Sequence, residues 1–357
     1  MSNEKDNIIK GRGAQSKPHN PFLKQMYVSE HIEGIDEPLL SAPKTQFFYE
    51  TPKKIINKVD SPDLGLQFSM NPYQGCEHGC IYCYARNSHQ YWGFSAGLDF
   101  ESKIIIKENA PLLLEKAFQN KNWNPTPIML SGNTDCYQPI ERKLQITRKM
   151  LQILLKYKNP VSIITKNSLI LRDCDILAEL ATDNLVQVNV SITSLDENLR
   201  QALEPRTASA LKRLKTIEAL AKLNIPVRVM AAPIIPGLNS HEIPDILKAS
   251  ADHGALGAGY TIVRLNGAIA GIFEEWIRKV FPDKADKVLH QIASCHGGKL
   301  NDSRFGTRMK GEGNEAESIA SLFKISSKKY FKSKTILPLD ITAFKRPPSA
   351  NSQLSLF

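Results

Sequence analysis

The sequence predicts an α/β protein, a partial TIM-type (β/α)6 barrel with irregular N- and C-terminal extensions. Three observations support this prediction. Six short runs of apolar and β-branched residues recur along the chain, a helix-like segment follows each run, and the two ends of the chain lack both patterns. Successive β-then-α units are typical of a parallel sheet that is covered by helices.

The six strand-like runs lie at residues 66–70, 128–130, 161–165, 185–192, 227–235 and 260–265. The helix-like segments follow them at residues 81–90, 141–157, 173–181, 208–223, 240–253 and 269–280. Helical periodicity is clearest in the second segment, at Leu144, Met150, Leu151, Leu154 and Leu155. In parallel sheets of this kind, functional side chains lie at the C-terminal ends of the strands.

These patterns divide the chain into four parts. Residues 1–60 are predicted to form an irregular arm, because they contain several Gly and Pro residues and only short apolar patches. The barrel is predicted at residues 61–295. A basic, Gly-rich loop and a C-terminal helix follow at residues 296–339, and residues 340–357 are predicted to be a flexible tail.

The composition fits a large core and a polyanionic partner. Hydrophobic residues make up 42% of the 357 residues, and no apolar run reaches the roughly 18 residues of a membrane-spanning helix. The first residues lack the apolar segment of a secretory signal, so we expect a cytoplasmic protein with no membrane partner. The net charge is +10, and residues 296–357 contain 11 Lys and Arg against five Asp and Glu. Such a balance favours nucleic acid as a partner.

Three of the six cysteines, Cys76, Cys80 and Cys83, fall within eight residues, directly after the first strand. Three thiolates on one short loop suit three irons of a [4Fe–4S] cubane, which leaves the fourth iron open to a small molecule. A zinc site that adds His78 or His89 is the alternative. Zinc sites usually draw ligands from two separated pairs, and no second pair is present, so the cluster is favoured.

The C-x3-C-x2-C spacing, its place after the first strand and the aromatic Tyr82 before the third cysteine resemble the radical S-adenosylmethionine (SAM) superfamily. This resemblance implies that Cys76, Cys80 and Cys83 bind a [4Fe–4S] cluster and that SAM chelates its open iron. It also implies reductive cleavage of SAM to a 5′-deoxyadenosyl radical, with electrons from a donor such as flavodoxin or ferredoxin.

The segments NPYQGC, ending at Cys76, and CIYCYAR, beginning at Cys80, resemble the branch around spore photoproduct lyase, often described as DNA-repair-photolyase-like. The resemblance covers roughly residues 60–260. It implies DNA repair by a lyase, with Tyr82 and Tyr84 as candidates for a hydrogen-atom relay and Cys136 as a candidate hydrogen donor. The alternative is that the two tyrosines only pack against adenine and the barrel wall, and that Cys136, Cys174 and Cys295 are buried structural cysteines.

The same resemblance implies positions for SAM. The segment after the second strand would hold the amino group, and polar residues at later strand ends would reach the carboxylate and ribose, while a fifth-strand residue would pack against adenine. The implied residues are Ser131, Gly132, Asn133, Thr134, Lys166, Ser191, Arg206 and Ala231. A solvated strand cap at Lys166 and a surface turn at Arg206 are the alternatives.

Two further groups are candidates for substrate binding. A polar run after the second strand contains Asp135, Tyr137, Gln138 and Glu141. The basic loop at residues 297–313 offers arginines and a lysine for phosphates and an aromatic ring for a base, namely Arg304, Phe305, Arg308 and Lys310. The alternatives are a helix N-terminus at Glu141 and a solvated loop.

The chain ends Gln353-Leu354-Ser355-Leu356-Phe357, which resembles the pentapeptide that docks bacterial polymerases and repair proteins on the replicative sliding clamp. A short apolar peptide on a polar tether suits an apolar pocket with a polar rim. The sequence therefore predicts a radical SAM enzyme that acts on DNA. The alternatives are modification of RNA or protein, and a zinc-stabilised clamp or DNA adaptor without catalysis.

Overall fold

The computed structural model describes residues 8–23 and 44–346. Ten strands occur in these ranges: β1 (Gln46–Tyr49), β2 (Ile56–Lys58), β3 (Phe68–Met70), β4 (Tyr73–Gln74), β5 (Lys103–Ile106), β6 (Ile128–Leu130), β7 (Val161–Thr165), β8 (Val186–Ser191), β9 (Val227–Ile234) and β10 (Gly257–Ile262). The α-helices in the same ranges are α1 (Leu98–Ser102), α2 (Ala110–Gln119), α3 (Glu141–Leu144), α4 (Ile146–Tyr157), α5 (Cys174–Thr182), α6 (Glu197–Leu203), α7 (Ala210–Lys222), α8 (Ile243–Asp252), α9 (Ile269–Val280), α10 (Pro282–Ser294) and α11 (Asn314–Phe331).

The larger sheet has the strand order β10-β9-β8-β7-β6-β3-β2. Six of its strands, namely β3, β6, β7, β8, β9 and β10, run parallel. Each of the six lies beside the one that follows it in this series. Because the order of the parallel strands never reverses, the sheet winds in one direction, as the sheet of a barrel does. The predicted partial (β/α)6 barrel is confirmed. All six predicted strands are present, with ends that differ by at most a few residues.

The core forms where the strands turn apolar side chains inward. Alternate residues of β7, β8 and β9 are fully buried, as are the apolar residues on one face of α4. Side-chain caps fix the start of two covering helices: Asp196 accepts from the backbone N–H groups of α6, and Ser209 does the same for α7. No helix in the described ranges is long and apolar enough to cross a membrane.

The structure adds elements that the sequence patterns did not reveal. The segment predicted as an irregular arm contributes β1, which pairs with β5 in a small second sheet, and β2, which pairs antiparallel with β3. Helices α2 and α10 are also new. The helix predicted at residues 81–90 is a 3-10 helix over Tyr84–Trp92. Short strands of this kind depend on a distant partner, which a local pattern does not contain.

The last described residues are held against the barrel, although they belong to the segment predicted as a flexible tail. Phe344 packs on the rings of Phe118 and Tyr157, and the Arg346 guanidinium donates to three backbone carbonyls at 2.9–3.0 Å. This anchoring reaches at least to residue 346. The clamp-binding prediction for Gln353 to Phe357 falls outside the described residues.

Candidate active site

The C-terminal ends of the six parallel strands form one edge of the sheet, called here the barrel mouth. Two segments lie at this edge. The first is the cysteine loop (residues 75–83), which follows β3 and β4, and the second is the β6 loop (residues 131–134), which follows β6. Most of the residues predicted to bind a cofactor lie in these segments or at the ends of β7, β8 and β9. The fold therefore brings them to the same edge.

The cysteine loop is fixed by backbone bonds to distant elements. The Cys76 N–H donates to the Phe100 carbonyl at 2.9 Å, and the Ile81 N–H donates to the Leu203 carbonyl at 3.0 Å. Gly79 has a φ of +69°, and a Cβ there would lie 2.8 Å from a carboxylate oxygen of Glu101. Only glycine suits this position, because both the backbone angle and the space exclude a side chain.

The three clustered thiols fit a [4Fe–4S] cluster in their chemistry, because such clusters are bound by cysteine thiolates. Cys76 and Cys80 are 7% exposed, Cys83 is partly buried, and each thiol is an electrostatic neighbour of another. Burial raises the pKa of all three thiols. They therefore stay protonated until bound metal supplies compensating positive charge.

The two histidines considered for a zinc site have other surroundings. The His78 ring lies 3.4 Å from the Asp135 carboxylate on one side and 3.2 Å from the Asn167 amide on the other. The His89 ring is buried against the rings of Phe94 and Phe100. Within the described ranges, no three His, Cys, Asp or Glu side chains are grouped to hold a single metal ion.

The polar residues of the NPYQ segment explain how the two loops are joined. The Asn71 side-chain oxygen accepts from the backbone N–H groups of Asn133 at 2.9 Å and Thr134 at 3.3 Å. The Thr134 hydroxyl donates to the Tyr73 carbonyl at 2.7 Å, and the Asn133 amide donates to Gln74 at 3.0 Å. The β6 loop is therefore held in place by the residues that lead into the cysteine loop.

Tyr84 crosses the mouth from the cysteine side to the β6 loop. Its hydroxyl donates to the Gly132 carbonyl, while 49% of the residue is exposed. Ser131, the neighbour of Gly132, has a φ of +76°, and its hydroxyl accepts from the Cys136 N–H at 2.5 Å. Tyr84 thus combines a fixed hydroxyl with an accessible ring.

A buried ionic network lies beneath the mouth and is centred on Glu204. This carboxylate is fully buried and accepts from Tyr82, Thr193 and Arg213, and the Lys166 amine lies 3.5 Å from it. Burial opposes its ionisation, but Arg213 and Lys166 outweigh this effect and lower the pKa of Glu204. The Tyr82 hydroxyl is thus engaged in holding a buried charge.

The remaining predicted residues are placed as follows. Ser191 is buried at the end of β8, where its carbonyl accepts from Arg213, and Ala231 is fully buried in β9. Arg206 lies beside the cysteine loop, 3.6 Å from the Glu77 carboxylate, and its side chain is 34% exposed. Cys136 is fully buried in the main core, which favours its structural alternative.

The polar run after β6 is part of the scaffold, which corrects its prediction as a substrate-binding group. Glu141 accepts from the Tyr73 hydroxyl and from Arg172. Gln138 accepts from the Glu77 N–H at 3.0 Å and donates to the Gly75 carbonyl. Both side chains are fully buried, so Gln138 supports the cysteine loop and Glu141 joins β4 to Arg172 rather than facing the mouth.

The basic loop is also more neutral than its sequence predicts. Arg304 binds Asp302 at 2.8 Å and Glu312 at 2.5 Å, and Arg308 is paired with Asp63. Phe305 remains 55% exposed. The two arginines that were predicted to grip phosphates therefore have carboxylate partners within the chain.

Arg264, two residues after β10, was missed by the sequence analysis. Val263 and Leu265 on either side of it are buried, while Arg264 itself is partly exposed. Within the described ranges its guanidinium has no hydrogen bond or ion pair, and its electrostatic neighbours are Arg308, Tyr84 and Asp63. Burial and then Arg308 lower the pKa of Arg264. Asp63 is already paired with Arg308, so the Arg264 guanidinium at the mouth is suited to an anionic ligand.

The model of the Radical SAM superfamily matches residues 70–249, which is half of the chain and includes all three clustered cysteines. The chain belongs to this superfamily. Its cofactors are accordingly a [4Fe–4S] cluster and SAM, as predicted. An uncharacterized protein of Mycobacterium tuberculosis is 31% identical over 234 residues, which cover 65% of this chain and 69% of that protein. An uncharacterized protein of Methanocaldococcus jannaschii is 32% identical over 187 residues, or 52% and 66% of the two chains.

Among solved structures, the radical SAM chain is similar to spore photoproduct lyase complexed with dinucleoside spore photoproduct. The TM-score is 0.59 at 15% identity, over 80% of this chain and 79% of that one. A mutant of the same lyase with bound AdoMet and dinucleoside spore photoproduct gives the same values. The predicted resemblance in fold to this branch is confirmed.

Proposed function

We propose that this radical SAM enzyme acts on DNA, where it reverses a base lesion by a lyase-type reaction. The observation that carries the proposal is the convergence at one sheet edge of the cysteine loop, the β6 loop and Lys166. The fold similarity to spore photoproduct lyase and the net charge of +10 support DNA as the substrate. When bound and supplied with one electron by a reductant, the cluster and SAM would provide radical chemistry for removal of a hydrogen atom from the substrate.

We assign the protein groups as follows. Cys76, Cys80 and Cys83 would hold the cluster through their thiolates. The β6 loop would bind the amino group of SAM through backbone carbonyls, which its small residues leave close to a ligand. The Tyr84 hydroxyl, which donates to the Gly132 carbonyl in this structure, would lie beside it. The carboxylate and ribose of SAM would be bound by Lys166 after β7, Ser191 at the end of β8 and Arg206 in the loop after α6. Its adenine would pack against Ala231 in β9.

The two tyrosines are proposed to have different roles. Tyr84 has a largely accessible ring at the mouth and is the better candidate for contact with a substrate or for a hydrogen-atom relay. Tyr82 is a positioning residue in this proposal, because its hydroxyl is bonded to Glu204 and Thr193. Cys136 is fully buried and its N–H donates to the Ser131 hydroxyl of the β6 loop, and its role as hydrogen donor stays a prediction.

The proposal is tested by the release of 5′-deoxyadenosine. Anaerobically reconstituted enzyme is reduced with dithionite in the presence of SAM, and the product is measured by chromatography with UV-irradiated DNA, undamaged DNA, RNA or no addition. We expect release in every case, with the highest rate on irradiated DNA and with loss of a DNA lesion. A higher rate on RNA would favour RNA modification, and no release from fully loaded protein would favour the adaptor function.

A second prediction concerns Arg264. Replacing it with alanine is expected to weaken binding of a DNA oligonucleotide by about 5- to 150-fold, or roughly 1–3 kcal/mol, and to lower the salt dependence by about one phosphate contact. Fluorescence anisotropy at several salt concentrations measures both quantities. SAM cleavage without DNA should be retained.

Arg304→Ala is the matched control for Arg264, because Arg304 lies on the basic loop but is paired with Asp302 and Glu312. It should change DNA binding less than Arg264→Ala. Equal losses in the two variants would contradict a specific phosphate contact at Arg264.

The predicted macromolecular partners are part of the same proposal. A sliding clamp would bind Gln353 to Phe357, and a flavodoxin or ferredoxin would deliver the electron. Binding to the clamp would place the enzyme at replicated or damaged DNA, which agrees with the proposed substrate.

A further inference from the structure

The cysteine loop is supported on one side by a fully buried arginine, Arg86. Its guanidinium donates twice to the Cys80 carbonyl, at 3.0 Å from Nε and 2.8 Å from Nη2. The third nitrogen, Nη1, donates to the carbonyls of Gly97 at 3.1 Å and Ala96 at 3.3 Å. Two nitrogens of this side chain therefore fix the backbone at Cys80, and the third joins it to residues 96 and 97.

The charge of Arg86 is balanced by Glu101, which is also fully buried. The Arg86 Nη2 lies 2.5 Å from Glu101 Oε1. The same carboxylate accepts from the backbone N–H groups of Gly13 at 3.0 Å and Ala14 at 2.8 Å. Glu101 thus connects the cysteine loop to a segment that lies 87 and 88 residues before Glu101 itself in the chain.

That segment, residues 12–16, is called here the N-terminal strap. Arg12 donates to the Glu101 carbonyl at 2.7 Å, and the Ser16 carbonyl accepts from the Leu98 N–H at 3.0 Å. A Cβ on Gly13 would lie only 1.9 Å from the Gly79 carbonyl oxygen. The strap therefore lies in direct contact with the cysteine loop, and only a residue without a side chain fits at its centre.

We propose that Glu101 and Arg86 are positioning residues for Cys80, and that the N-terminal strap closes the cysteine loop against water by binding Glu101. The proposal rests on the proposed role of Cys80 as a cluster ligand. Removing two charges from water costs free energy, so a buried ion pair often stabilises a protein no more than apolar side chains of similar volume would. What this pair adds is a fixed direction for several backbone groups, which a metal-binding loop requires.

The first test uses Glu101→Gln, which preserves size but removes the charge. In the apo protein, amide hydrogen exchange of the strap and of the cysteine loop should become faster by about tenfold or more, because local opening costs less free energy. After anaerobic reconstitution, the variant should lose iron faster than wild type on exposure to air. Its reduced cluster should give an altered electron paramagnetic resonance spectrum. Glu274→Gln, which removes a surface ion pair with Arg278, is the matched control and should change none of these properties.

A second variant, Gly13→Ala, keeps the test decisive if Glu101→Gln fails to fold. It displaces the strap through the contact with Gly79 and leaves Arg86 and Glu101 unchanged. We expect the same faster exchange at residues 75–83 and the same faster loss of iron. Wild-type exchange in the cysteine loop of both variants would overturn the proposal. Failure of the wild-type protein itself to bind iron would instead contradict the proposed function, since the exchange measurement needs no cluster.

Discussion

Replacing Cys80 with alanine is expected to reduce iron from about four atoms per chain to a small remainder and to abolish release of 5′-deoxyadenosine. The reason is that a cubane on this loop depends on three thiolates, and no other described cysteine lies on the loop to replace one. Iron and sulfide assays after anaerobic reconstitution measure the first effect, and chromatography measures the second. Cys76→Ala and Cys83→Ala should give the same result.

Cys174→Ser provides the matched control for this prediction. Cys174 is a partly exposed cysteine at the start of α5 and is not part of the cysteine loop. It should keep its full iron and its activity. A Cys80→Ala protein with four irons would contradict the ligand assignment. A wild-type protein that binds one zinc ion and no iron would contradict the cluster on this loop.

The parts that the sequence predicted correctly depend on local signals. Each of the six parallel strands overlaps a short run of apolar and β-branched residues, because at least part of the strand is buried in the barrel. The cysteine spacing is equally local, since its ligands lie within eight residues. The NPYQ segment also carries a local signal, although its role in holding Asn133 and Thr134 became visible only in the structure.

The parts that the sequence did not predict depend on partners that are distant along the chain. The sequence predicts Arg308 to be a free cation in a basic loop, because its partner, Asp63, is 245 residues distant along the chain. Glu101 carries no pattern of its own, and Arg86 ends the CIYCYAR segment without any sign of its partner. Their importance comes from their meeting in a buried space with the N-terminal strap. Arg264 was missed for the opposite reason, since its significance is that no described carboxylate pairs with it.

Glu204→Gln is expected to destabilise the apo protein by about 3–5 kcal/mol, because it leaves the buried Arg213 without its counter-charge. Glu204 is fully buried and Arg213 is 1% exposed, so water does not replace the lost partner. Chemical denaturation of the apo protein at neutral pH measures the free energy of unfolding without a contribution from the cluster. Lys166 and Tyr82 would also lose a partner, so loss of SAM binding should accompany the loss of stability.

The lowered pKa of Glu204 determines the direction in which the stability changes with pH. The pKa of Glu204 is lower in the folded protein than its ordinary value near 4.5. Its stabilising contribution is therefore complete above the unfolded-state pKa and decreases as the pH falls toward the folded-state pKa. Wild type should lose stability as the pH is lowered below about 5, and Glu204→Gln should lose less over the same range.

Glu218→Gln is the matched control for the buried charge. Glu218 forms an exposed ion pair with Lys222 on α7, and such pairs contribute about 0–1 kcal/mol. The control should therefore stay close to wild type in stability and in acid sensitivity. If Glu204→Gln matched this surface control in both measurements, the carboxylate would be protonated or hydrated in the folded protein. The ionic network beneath the barrel mouth would then hold neither Tyr82 nor Lys166 in place for SAM.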